Sequence, residues 1–81
     1  MKYYPLVLTH VGGSKRTVDI IGAFPGYLSV RWGGSNFDVF EVCMKTCQLV
    51  RFKGLRVTKR FKWMADMEEC KKVYLIMRSK K

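Results

Sequence analysis

Over residues 3–58 apolar and polar side chains alternate in short runs with period two, and glycine-bearing gaps separate the runs. This pattern predicts strands at Tyr3–Val11, Arg16–Ile21, Tyr27–Trp32, Phe37–Val42, Gln48–Lys53 and Leu55–Thr58. The plainest is Tyr27–Trp32, in which Leu28, Val30 and Trp32 alternate with Ser29 and Arg31. Turns are expected at Gly12-Gly13-Ser14, between Gly22 and Gly26, at Gly33–Asn36, at Met44–Thr46 and at Gly54. At Pro25-Gly26 a fixed φ is followed by a residue that tolerates positive φ, which is turn chemistry with a mechanism.

The period changes near the C-terminus. Trp63, Met67, Cys70, Tyr74 and Met77 recur at spacings of 4, 3, 4 and 3, one face of an amphipathic helix. Asp66 followed three residues later by Glu69 also fits a capping box, which would start the helix at Met67 instead of Trp63. Val73–Met77, flanked by Lys72 and Arg78, fits a buried strand as well as a helix, so 73–78 stays open between the two. The chain therefore reads as one small α+β domain over 1–81, β-rich over 3–58 and helical over 63–78. Hairpin-length connections favour an antiparallel meander of four to six strands, as a curled sheet or an SH3-like open barrel, with one C-terminal helix. The exposed edge strands of such a meander would permit a homodimer by strand pairing.

Charge adds direction to this picture. The net charge is +10, and residues 51–81 carry eleven positive and three negative side chains, +8 of that total. A small domain with pI near 9.9 attracts polyanions, with strong salt dependence. The segment from Arg51 to Trp63 concentrates the effect, with six cations, no acid and three aromatic rings. Folded as a hairpin turning at Gly54, it would send Val50, Phe52, Leu55 and Val57 toward a core. Arg51, Lys53 and Arg56 would then face water.

Other chemistry finds little material. Cys43, Cys47, Cys70 and His10 make a conceivable zinc set, but only Cys43 and Cys47 are close in sequence. The thiols read instead as small buried hydrophobes, their odd number pointing to a reducing, cytoplasmic setting. One histidine and six scattered acids give no base beside a nucleophile, so no enzyme, cofactor or metal is expected. Gly12-Gly13-Ser14-Lys15-Arg16 lacks the spacing of a phosphate loop and is better explained as a hairpin turn. The longest apolar run, Val73–Met77, falls far short of a membrane span, and the first ten residues are too short an apolar segment for a secretory signal. Trp32 reads as core, Trp63 as the seal between helix and sheet, and Phe24 as an exposed ring at a turn.

These readings converge on a non-enzymatic nucleic-acid-binding protein, for DNA or RNA. Arg51, Lys53, Arg56, Lys59, Arg60 and Lys62 would contact phosphates beside Phe61, with Lys15, Arg16 and Arg31 as a second cluster. The alternative is a phage- or mobile-element-type inhibitor or adaptor that docks its basic face on an acidic surface of a larger protein, a nucleic-acid-handling one among the candidates.

Overall fold

The computed structural model describes residues 4–33, 38–54 and 56–79. Its elements are β1 (Tyr4–His10), β2 (Lys15–Phe24), β3 (Tyr27–Trp32), β4 (Asp38–Cys43), β5 (Gln48–Lys53), β6 (Arg56–Ala65) and α1 (Met67–Ser79). The strands form an antiparallel meander whose two ends meet. β1 pairs with β6 through Leu8↔Ala65, Thr9↔Met64 and His10↔Trp63, closing the sheet into a barrel.

Alternation decides what fills the barrel. Leu6, Leu8, Val18, Ile20, Leu28, Val30, Val42 and Leu49 point inward and are at most 3% exposed. Their chain neighbours Pro5, Val7, Thr9 and Thr17 face outward. Fully burying each Leu or Ile side chain contributes about 1.5–3 kcal/mol over leaving it in water. The curvature needed for closure comes partly from a bulge in β2, where the register with β3 shifts between Ile20 and Gly22. A Cβ on Gly22 would lie 2.9 Å from the exposed Phe24 ring, which would have to turn to admit it.

The helix covers one end of the barrel. It begins where the acidic cap predicts, with the Cys70 amide donating to the Asp66 carbonyl at 2.8 Å. Glu68 and Glu69 in the first turn and Arg78 in the last complement the helix dipole. Cys70 and Val73 are buried against the core, and Tyr74 and Met77 pack beside them. The Tyr74 hydroxyl donates to the Phe24 carbonyl at 3.1 Å and accepts from the Gly26 amide at 3.3 Å, tying the helix to the β2–β3 turn. The turn between β4 and β5 completes this end. Cys47 is held at φ 58°, its amide donating to the Cys43 carbonyl and its carbonyl accepting from the Ala65 amide.

Several expectations change in the folded chain. The segment 63–65 is strand, not helix, because Trp63, Met64 and Ala65 supply the β6 half of the closing ladder. β6 therefore runs well past Thr58, and β2 runs on through the segment expected to be a connection, to Phe24. The open segment 73–78 is helical, continuing the helix from Met67 and packing Val73, Tyr74 and Met77 on the core. The closing ladder pairs residues 8–10 of β1 with 63–65 of β6, so those positions are not free for a homodimer by edge pairing. The expected loop at Gly34–Asn36, with Tyr3, Phe37 and Leu55, lies outside the described residues. Among the described residues no helix is long and apolar enough to cross a membrane.

Cys47 and Cys70 are 1% and 0% exposed, and both are free thiols. Burial, with the neighbouring Cys47, Glu69 and Asp66, pushes the Cys70 thiol up to about 12. An acid whose folded pKa is raised binds its proton more tightly when folded. Its contribution is complete below its unfolded value of 9.0 and is lost as pH rises toward 12. Chemical denaturation followed from pH 8 to 11 should therefore show stability falling in the wild type, and falling less steeply in Cys70→Ala from its lower starting value. Equal slopes would show that Cys70 does not carry the effect.

Candidate functional site

The barrel end away from the helix is lined by rings. His10, at the end of β1, meets Trp63 edge-on at 5.0 Å between centroids, and Trp63 meets Trp32 at 5.1 Å. Trp32 continues to Phe40 at 6.1 Å and Phe40 to Phe61 at 5.1 Å. All five rings are half-buried, and all lie on the inward-pointing side of their strands. Aromatic side chains too large for the narrow interior are thus gathered at its rim. Three cations lie over their faces. The Arg16 guanidinium carbon is 4.3 Å from the Trp32 centroid, that of Arg51 is 4.5 Å from Phe40, and the Lys59 ammonium is 5.0 Å from Phe61.

The hairpin of β5 and β6 extends this rim. Arg51 stands opposite Lys59, and Lys53 opposite Arg56. Between these pairs the register shifts, with Thr58 as the extra residue on β6. The Thr58 hydroxyl donates to the Arg51 carbonyl at 3.1 Å and pins the bulge. The consequence is a clean division of faces. Arg51, Lys53, Arg56 and Lys59 share one side, and Phe52 and Val57, also paired, share the other.

That other side is apolar but turned away from the barrel interior. Phe52 packs on Tyr27 at 5.0 Å, and Tyr27 stacks on Phe24 at 5.2 Å. The Phe52 amide is fixed by the Glu41 carboxylate at 3.0 Å. Between the hairpin and the β2–β3 and β4–β5 turns lies a cleft of about 310 Å³, lined by Pro25, Tyr27, Cys43, Lys45, Phe52 and Val57. The Cys43 thiol is partly exposed there. Partial burial opposes its ionisation, but the Lys45 and Thr46 amides, the Thr46 hydroxyl and the Lys45 charge outweigh it and hold the pKa below 9.0.

The expected basic set is therefore only partly one surface. Arg51, Lys53, Arg56 and Lys59 form it, with Phe61 beneath Lys59. Arg60 pairs with Val50 and falls on the opposite side, while Lys62 is exposed farther along β6. Of the second cluster, Arg16 joins the rim through Trp32 and Lys15 is exposed next to it. Arg31 does not join: it pairs with Asp19 at 3.0 Å on the outer wall, as its cross-strand partner. Trp63 belongs to the rim instead of sealing the helix, and Trp32 bridges core and rim. Phe24 is an exposed ring, as its turn position implies. The zinc set is divided, His10 accepting from the Gly12 amide at one end while Cys47 and Cys70 are buried at the other. Sequence alternation marks Trp32, Phe40, Phe61 and Trp63 as inward but does not show that they meet. Nothing local in sequence joins Tyr27, Cys43 and Phe52.

No protein family, curated protein or solved structure matches the chain.

Two outcomes follow. Iodoacetamide should label the native protein at Cys43 alone among its three thiols, with the rate rising at a pH below 9.0; labelling at Cys47 or Cys70 at comparable rate would contradict the burial. Removing the guanidinium over Trp32 by Arg16→Ala should cost roughly 0.5–1 kcal/mol and shift tryptophan emission to the red.

Proposed function

We propose that this chain is a small, non-enzymatic nucleic-acid-binding protein that holds phosphates on the cationic side of the β5–β6 hairpin. One observation carries the reading. Arg51 faces Lys59 and Lys53 faces Arg56, yet among the described residues the sole ion pair is Arg31–Asp19. Like charges directly opposite each other destabilise a hairpin, by up to about 1 kcal/mol per pair. An anion bound across these pairs would relieve the repulsion. A polyphosphate backbone has the required charge density, and binding releases its condensed counterions. Arg16 and Lys15 continue the positive surface around the rim, and the rings beneath Arg16, Arg51 and Lys59 hold those heads in place.

Phosphate contacts give affinity and position without base specificity. Fluorescence anisotropy with labelled DNA and RNA should therefore show binding across sequences. If four to six phosphates are contacted on duplex DNA, log K falls against log salt with a slope of about −4 to −5. The variant Lys53→Glu/Arg56→Glu/Lys59→Glu should keep its circular dichroism spectrum and lose binding at physiological salt. A folded triple variant with unchanged affinity removes the hairpin as the site. No binding of any nucleic acid at low salt overturns the reading and directs attention to an acidic protein surface.

A further inference from the structure

The cleft behind the hairpin is not used by phosphate contacts on the opposite side. Resting on the nucleic-acid reading, we propose that it receives an unpaired base, so that the protein's ligand is single-stranded nucleic acid. Its volume of about 310 Å³ is at the small end of ligand pockets, which run from about 300 to 1,000 Å³. Its walls suit a planar ring with an anionic neighbour. Phe52 and Tyr27 present tilted ring surfaces at 43° to each other, Pro25 and Val57 add apolar area, and the exposed Lys45 supplies a cation at the lip.

Two glycines of the described backbone leave room at the border of the cleft. Gly26 and Gly54 border the cleft in left-handed conformations, φ 92° and 65°, and a Cβ on either would meet nothing within 4 Å. Gly54 is also the turn between Lys53 and Arg56. A strand crossing the hairpin edge at Gly54 keeps its phosphates on Lys53 and Arg56 while turning one base over the edge onto Phe52. Duplex bases are paired and stacked inside the helix and cannot make that excursion without being unpaired. A single strand can, and stacking on an aromatic ring favours it for any base.

Cys43 provides a reporter in the unmodified protein, because its thiol lines the cleft and Cys47 and Cys70 are buried. The experiment measures the rate of Cys43 alkylation, located by peptide mapping, with oligo(dT), oligo(rU) or a duplex of equal length. Binding is verified in parallel by anisotropy. Saturating single strand should slow the reaction about tenfold, the effect of stacking one base in its path, and bound duplex should leave it unchanged. The two single strands distinguish DNA from RNA as the source of the base. Single strands that bind without protecting Cys43, or duplex that protects equally, overturn the cleft assignment and leave the phosphate reading standing. Failure of every oligonucleotide to bind overturns that reading itself, and the inference with it. A second variant, Val57→Trp, fills the cleft without removing a charge. It should weaken single-strand binding about tenfold while leaving the salt slope and duplex binding as in the wild type. Unchanged single-strand affinity in folded Val57→Trp overturns the inference.

Discussion

The pairing of β1 with β6 constrains everything else in the molecule. Three residue pairs, Leu8↔Ala65, Thr9↔Met64 and His10↔Trp63, join the first strand to the last and turn a meander into a ring. Without that ladder the inward faces of β1 and β6 would lie at two open edges, exposing Leu6, Leu8 and Ala65. With it, both leucines are at 0% exposure. The closure also fixes where the helix can go. Ala65 ends the last strand at one rim, and α1, starting two residues later, lies across that rim with its Cys70 set among the core residues that include Cys47 and against Met44.

A narrow ring sorts side chains by size. Leucine, isoleucine and valine fill the interior, and the inward-pointing positions near the opposite rim take His10, Trp32, Phe40, Phe61 and Trp63. These rings overhang the core and offer their faces to guanidinium and ammonium groups. Cation–π contact holds Arg16, Arg51 and Lys59 over these rings without an ion pair among the described residues. The positive surface is thus anchored by the same residues that finish the core.

The bulge at Thr58 gives the hairpin two distinct sides. One extra residue on β6 allows Lys59 to oppose Arg51 while Val57 opposes Phe52. Without that shift the cross-strand partners would fall out of phase, and charge would mix with apolar surface on both sides. With it, the hairpin is a thin wall between a cationic surface and an aromatic cleft.

The linear sequence determined the local elements. Alternation located Tyr27–Trp32 and Gln48–Lys53 to the residue, Pro25-Gly26 and Gly54 marked their turns, and Asp66 with Glu69 started the helix at Met67. It also determined that positive charge is concentrated after Val50. These features depend on neighbours a few residues apart, through side-chain period, turn φ and capping. Only the tertiary structure decided that Trp63 is strand: its spacing to Met67 suits a helix equally, and the deciding partner, His10, is far away in the chain. The same holds for 73–78, for Arg31 being neutralised by Asp19, and for the convergence of Tyr27, Cys43, Lys45 and Phe52 around a cleft. Each of these depends on contacts between distant segments, and such contacts exist only once the ring has closed.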